Sequence, residues 1–153
     1  MSESRMKESQ GSTIYLKDYT PPSFLIDETH LTFLLFEDRT LVRSRLLIRK
    51  NPLAENATEK LVLDGHKLLA KEILLDGVLL DESAYILDED SLLIDKVPGK
   101  FTLECVTEIK PHENTSLEGL YKSRKMFCTQ CEAEGFRKIT FYLDRPDVLS
   151  SFT

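Results

Sequence analysis

The chain has 153 residues, of which 41% are hydrophobic, so it is long enough to bury the core of one domain without disulfides or a structural metal. Its formal net charge of −6 argues against nucleic acid as a partner, because affinity for phosphates depends on clustered Lys and Arg. No segment approaches the roughly 20 apolar residues that a membrane helix needs, and the polar start of the chain is not a secretory signal.

Two further features of the sequence concern its organisation and its compartment. Residues 1–13 are polar and charged, so we expect a disordered tail or a remnant of cloning there, followed by one domain over residues 14–153. The three cysteines, Cys105, Cys128 and Cys131, are an odd number in a chain of ordinary size. This usage fits a reducing compartment and predicts a cytoplasmic protein.

Short apolar runs separated by turn residues dominate the chain, and their alternation with period two predicts strands. The first clear run, residues 31–36, is apolar on both faces and predicts a central strand. In the next run, residues 42–49, apolar residues alternate with three arginines, which a pleated strand would point into water. Residues 61–63 predict another short strand.

The second half of the chain carries the clearest turn signals. Two apolar runs flank residues 76–77, an Asp-Gly pair that favours a hairpin because a type I′ turn needs positive φ at both central residues. Two more predicted strands, residues 92–94 and 101–109, lie on either side of the Pro-Gly pair at residues 98–99. The second of them alternates like a half-buried antiparallel strand with one wet face.

Helical periodicity is absent until the end of the sequence. Pro146 predicts a short terminal helical turn, with Leu149 and Phe152 on its inner side. Many short strands with regularly spaced turns predict an all-β fold, either an antiparallel β-sandwich or an open barrel.

The densest candidate for a functional site is an acceptor cluster in the last third of the chain. If that segment is extended, Gln130, Glu132 and Glu134 project to one side, because alternate residues of a strand share a face. A carbonyl oxygen and two carboxylates suit an ammonium group, which has three donors and no acceptor. The alternative is a solvated polar edge beside Arg137 and Lys138.

The pair Cys128-x-x-Cys131 permits a redox or zinc site as an alternative to two small, partly buried thiols. A redox pair needs a following helix to lower a thiol pKa, and a structural zinc site needs four ligands at a recognisable spacing. The sequence has neither, and it contains no His-Glu-x-x-His segment or glycine-rich phosphate loop. A self-contained catalytic apparatus is therefore not expected in this chain.

Taken together, several segments give the chain a longer match than any single motif, and the sequence resembles the aminopeptidase N family over nearly all of residues 14–153. The similarity begins with a tyrosine-containing entry segment and a Pro-Pro loop, and it is strongest in the last forty residues. The segments that carry it are residues 14–19, 21–22, 61–65, 114–123, 126–136 and 137–148.

The resemblance implies the N-terminal domain of a zinc exopeptidase, an antiparallel β-sandwich with a saddle-like sheet. In the family pattern the residues that match Gln130 and Glu132 bind the substrate, and the glutamate binds the free amino terminus of the peptide. Glu134 matches no known role. The resemblance further implies that Zn2+ and the catalytic residues belong to the full-length enzyme, in the protein's own downstream catalytic domain.

On this interpretation the chain stops before the end of its own N-terminal domain, and the fragment itself is inactive. A different class of protein, a free-standing β-sandwich module for protein interaction, is equally compatible with composition and periodicity, because a fold does not determine a function. The gene sequence after Thr153 distinguishes the two: an in-frame His-Glu-x-x-His segment supports the enzyme, and a stop codon supports the module.

Overall fold

The structure is a computed structural model that describes residues 15–55 and 58–153, so the predicted tail at residues 1–13 lies outside the described residues. The strands are β1 Phe24–Leu35, β2 Thr40–Lys50, β3 Leu61–Asp64, β4 Leu69–Leu75, β5 Val78–Leu79, β6 Ile86–Leu87, β7 Ser91–Ile94, β8 Lys100–Ile109, β9 Gly119–Ser123, β10 Met126–Gln130 and β11 Ser151–Phe152. The helices are short 3-10 turns, Leu16–Asp18, Glu82–Ala84 and Phe136–Lys138. No helix in these two described ranges is long and apolar enough to cross a membrane.

The strands form a six-stranded sheet, a three-stranded sheet and a two-stranded hairpin. The six-stranded sheet has the order β11-β1-β2-β8-β4-β5, and every pair in it is antiparallel except β11 with β1. The three-stranded sheet has the order β3-β7-β6, and β9 pairs with β10. Because β7 and β8 lie in different sheets, residues 98–99 form a crossover between sheets.

The centre of the large sheet follows the predicted alternation. Every second residue of β2 from Thr40 to Ile48 is buried, and Arg43 and Arg45 point into water from the opposite face. Arg49, on that same outer face, is half-buried and donates from Nε to the carboxylate of Asp27 at 2.9 Å. The prediction for this strand is confirmed.

One core fills the space between the six-stranded and the three-stranded sheet. Both sheets contribute buried apolar side chains to it, and the fully buried ones each contribute roughly 1.5–3 kcal/mol relative to exposure. The prediction of an all-β fold with an antiparallel β-sandwich is therefore confirmed. The core residues from the strands are Phe24, Ile26, Leu46, Ile48, Leu61, Leu63, Ile73, Leu92, Ile94, Phe101, Leu103 and Cys105.

The predicted hairpin at residues 76–77 is also confirmed. Leu75 pairs with Val78, and both turn residues have the positive φ of a type I′ turn, 49° at Asp76 and 78° at Gly77. The turn is attached to its neighbours, because the N–H of Thr102 donates to the Asp76 carboxylate at 2.8 Å.

The prediction that residues 31–36 form a central strand is wrong. The run lies in β1, but the outer neighbour β11 pairs only with Glu28 and Thr29. Beyond Leu31, the outer edge of β1 has no strand beside it in the part of the chain that the structure describes. Phe33 and Leu35 are accordingly exposed.

The predicted terminal helical turn is present only as one turn, in which the N–H of Val148 donates to the carbonyl of Arg145 at 3.2 Å, and the predicted inner side is wrong. Leu149 is 85% and Phe152 55% exposed, and the buried side chain of this segment is Val148. The N–H of Thr153 donates to the carbonyl of Thr29 at 2.9 Å, so the chain pairs with β1 instead of coiling. A partner more than a hundred residues away, which local periodicity does not register, decides the conformation.

Candidate functional site

The predicted acceptor residues lie at and beyond the end of the β9–β10 hairpin. Leu120 and Phe127 of this hairpin pack against the smaller core cluster at one end of the large sheet. The alternation of β10 therefore turns Gln130 to the outer face, where it is exposed and lies opposite Gly119 in the register. Because Gly119 has no side chain, the neighbouring strand does not cover the side-chain amide of Gln130.

The strand does not continue through Glu132 and Glu134, so the prediction of one extended segment with three aligned acceptors is wrong. β10 ends at Gln130, and residues 131–135 fold into a closed loop. The N–H of Gly135 donates to the carbonyl of Cys131 at 2.9 Å, and Glu134 has a φ of 131°. These contacts turn the backbone back on itself, and alternation no longer determines side-chain directions. We call residues 131–135 the acceptor loop.

Gln130 and Glu132 nevertheless remain neighbours on the surface. Both side chains are exposed, and Nε2 of Gln130 donates to the main-chain carbonyl of Glu132 at 3.5 Å. Neither residue lines either of two surface clefts, of about 440 and 480 Å³, that the described residues form. The exposed side chains of Gln130 and Glu132 thus lie at an open tip beyond the hairpin.

The two glutamates of the acceptor loop have different surroundings. Glu134 Oε1 lies 3.5 Å from Nη2 of Arg137. Within residues 15–55 and 58–153 the carboxylate of Glu132 forms no ion pair. Glu134 therefore has a cationic neighbour, whereas the carboxylate of Glu132 has none within the described residues.

Arg137 is the residue of this region that sequence reasoning missed, because it was read as part of a solvated edge. Its side chain is 25% exposed and donates from Nε to Oδ2 of Asp144 at 3.1 Å and from Nη2 to the Asp144 carbonyl at 3.0 Å. Burial opposes the charge, but the bond to Asp144 and the carboxylates of Asp64 and Glu134 raise the pKa of Arg137 above its ordinary value.

The cysteines of the region are thiols in the structure. Cys128 and Cys131 are both free and half-buried, and burial, followed by the negative charge of Asp144, raises the pKa of Cys131. Among the residues that the structure describes, no three His, Cys, Asp or Glu side chains come together in a group that could hold a metal ion. Zinc does not fit this part of the molecule.

Comparison with known proteins gives consistent matches. Aminopeptidase N of Caulobacter vibrioides is 42% identical over 148 residues, which is 97% of this chain and 17% of that protein. Aminopeptidase N of Escherichia coli is 42% identical over 146 residues, 94% of this chain and 16% of that protein. The chain thus spans about a sixth of the length of the curated relatives that it matches.

Solved structures agree with the sequence relatives. Aminopeptidase A of Legionella pneumophila, in complex with aspartic acid, superimposes with a TM-score of 0.82 at 30% identity, over 90% of this chain and 16% of that one. An M1 zinc metallopeptidase from Deinococcus radiodurans shares the fold, with a TM-score of 0.68 at 12% identity, over 87% of this chain and 32% of that one. The pattern of the Peptidase M1 N-terminal domain matches residues 30–153. The chain therefore belongs to the Peptidase M1 N-terminal domain family.

Proposed function

We propose that this domain is the N-terminal scaffold and substrate-recognition unit of a cytoplasmic zinc aminopeptidase, in which Gln130 and Glu132 bind the free amino terminus of a peptide. The observation that carries the proposal is the exposed side chain of Glu132, which forms no ion pair in the described residues and whose main-chain carbonyl accepts from Nε2 of Gln130. Family membership and the aminopeptidase relatives support the same assignment.

The chemistry of an ammonium group matches this pair. Its three N–H donors need oxygen acceptors, and the carboxylate of Glu132 supplies a full opposite charge. A charge-assisted hydrogen bond contributes about 1.5–3 kcal/mol when water is excluded. Peptides that lack a free terminal amine would leave the carboxylate desolvated and unpaired, which disfavours them.

Because Gln130 and Glu132 are exposed, strong binding of an ammonium group requires a second surface that covers them. An ion pair in open water contributes only about 0–1 kcal/mol, because solvent screens it. The proposal therefore includes the protein's own downstream catalytic domain, which would cover Gln130 and Glu132 and exclude water. Zn2+ enters only as a property of the full-length enzyme, since the described residues of this domain offer it no ligand cluster.

The test is a pair of isosteric substitutions in the full-length protein. Glu132→Gln removes the charge that binds the ammonium group, and we expect kcat/KM for an amino-acid anilide to fall about 10- to 100-fold. Glu134→Gln, the matched control in the same loop, should change kcat/KM less than about threefold. Unchanged kinetics for Glu132→Gln, or a natural stop codon directly after Thr153, would overturn the proposal, and the stop codon would favour a free-standing interaction module.

A further inference from the structure

The acceptor loop contains two glutamates, and the structure distinguishes them through Arg137. This guanidinium is close to Glu134 at 3.5 Å and forms no ion pair with Glu132. We propose that Arg137 is a positioning residue: it holds the acceptor loop so that Glu132 is the carboxylate presented to the substrate's ammonium group. The inference rests on the proposed function of Glu132. It adds that Arg137 determines the position from which Glu132 performs that function.

The principal anchor of Arg137 is Asp144, not Glu134. The main-chain N–H of Arg137 donates to Oδ2 of Asp144 at 3.0 Å, in addition to the two side-chain bonds from Nε and Nη2. The Asp144 side chain is only 15% exposed, so these charge-assisted bonds are little screened. The carboxylate of Glu134 is 72% exposed, and its contact with Arg137 contributes little stability by itself.

A second anchor connects Arg137 to the three-stranded sheet. Asp64, at the end of β3, lies 3.7 Å from Nη1 of Arg137 and accepts from the N–H of Asp144 at 3.0 Å. The carbonyl of Arg137 accepts from the N–H of His66 at 2.8 Å. Both the side chain and the main chain of Arg137 are therefore fixed to the body of the domain.

The other end of the acceptor loop is fixed by β10. Gly135 packs so closely on the end of this strand that a Cβ there would lie 2.6 Å from the carbonyl oxygen of Gln130. The loop thus spans the short distance between Gln130 and Arg137 with both ends held. A lysine at position 137 could keep the charge but could not reach Asp144, Asp64 and Glu134 at the same time, because it lacks the planar fork of donors.

A double-mutant cycle in the full-length protein tests the inference. We expect Arg137→Gln to raise KM for an amino-acid anilide about tenfold or more, with kcat changed less, since a displaced Glu132 weakens ammonium binding. In the double variant with Glu132→Gln we expect no further loss, because both changes remove the same interaction. Losses that multiply would overturn the inference.

Arg145→Gln is the matched control. Arg145 is also partly buried and charge-paired, with Nη2 2.7 Å from Asp147 and 3.0 Å from the carbonyl of Thr20, but it does not contact the acceptor loop. We expect it to lower the melting temperature while KM stays at the wild-type value. A KM rise equal to that of Arg137→Gln would assign the effect to general destabilisation and overturn the inference.

Two remaining results are informative. If Arg137→Gln does not fold, Arg137→Lys replaces it in the cycle, with an expected KM between those of wild type and Glu132→Gln. A wild-type KM for the lysine variant would overturn the positioning role. If Glu132→Gln alone has no effect, the proposed function fails as well, a result distinct from losses that multiply.

Discussion

Gly119 lies against Lys138 so closely that a Cβ on the glycine would come within 2.8 Å of the lysine Cβ and 3.2 Å of the carbonyl oxygen of Gly135. Its φ of 72° is also in the region that side chains disfavour. This contact places the 3-10 helix Phe136–Lys138 directly beside the start of β9, and so it holds the acceptor loop next to Gln130.

Gly119→Ala should therefore destabilise the domain. We expect a loss of about 1–3 kcal/mol in the free energy of unfolding, from backbone strain and from the displacement of Lys138. Urea unfolding followed by circular dichroism measures it. Gly99→Ala is the control, because a Cβ at Gly99 meets no atom within 4 Å, and equal losses in the two variants would contradict the packing argument.

Phe141 contributes to stability through the main core. It is buried in the cluster between the two sheets, and its ring covers Gly65. Phe141→Ala should lower the free energy of unfolding by about 3–5 kcal/mol through lost burial and the cavity left behind. Leu149→Ala, at the exposed position that sequence periodicity placed on an inner side, should stay within about 0.5 kcal/mol of wild type in the same measurement.

Because Cys105 is buried, we expect the free energy of unfolding to decrease at alkaline pH. Desolvation, with a smaller contribution from Glu104, raises the pKa of this thiol from 9.0 to about 12. Because the pKa of the thiol is higher in the folded than in the unfolded state, its full contribution to the free energy of unfolding is present below about pH 9. That contribution is lost as the pH rises toward 12. Between pH 8 and pH 10 the wild type should lose about 1 kcal/mol more than Cys105→Val, measured by urea unfolding at both pH values. Parallel losses would contradict the assignment to Cys105.

For Asp147 we expect the free energy of unfolding to decrease at acid pH. Its carboxylate accepts from Arg145 at 2.7 Å and from the hydroxyl of Tyr19 at 2.9 Å, and the bond from Arg145 is the main cause of its lowered pKa. A depressed folded pKa contributes stability that is present above the unfolded value near 3.8 and is lost as pH falls below it. Asp147→Asn should cost about 1–2 kcal/mol at pH 6 and less at pH 3. A gap that does not narrow at pH 3 would refute this explanation.

The local sequence pattern was sufficient to predict two kinds of strand. These are strands joined to their partner by a short turn and strands with one apolar and one polar face. The alternation in β2 and the Asp76-Gly77 turn are encoded in adjacent residues, so both were predicted correctly. The pairing of β11 with β1 depends on hydrogen bonds from Thr153 to residues at the other end of the chain. A short segment of sequence does not show which distant strand it pairs with. Pro146 by itself favoured the start of a helix.

The candidate site shows the same division. Residue type was sufficient to select Gln130 and Glu132 as acceptors, and the resemblance assigned them a role. Strand alternation failed after Gln130 because hydrogen bonds to the Cys131 carbonyl close a loop there. The difference between Glu132 and Glu134 could not be predicted, because it depends on Asp144 and Asp64 holding Arg137 in place.

The Asp76 turn has a practical consequence for engineering the domain. Its N–H donates to the carbonyl of Thr102 at 2.9 Å, and its carboxylate accepts from the N–H of the same residue. An exposed two-residue turn would ordinarily tolerate an inserted reporter or a new pair of termini made by circular permutation. Here the turn is bonded to β8 and joins β4 to the two-residue edge strand β5, so foreign sequence placed between Asp76 and Gly77 should weaken the pairing of β5 with β4 at this edge of the large sheet.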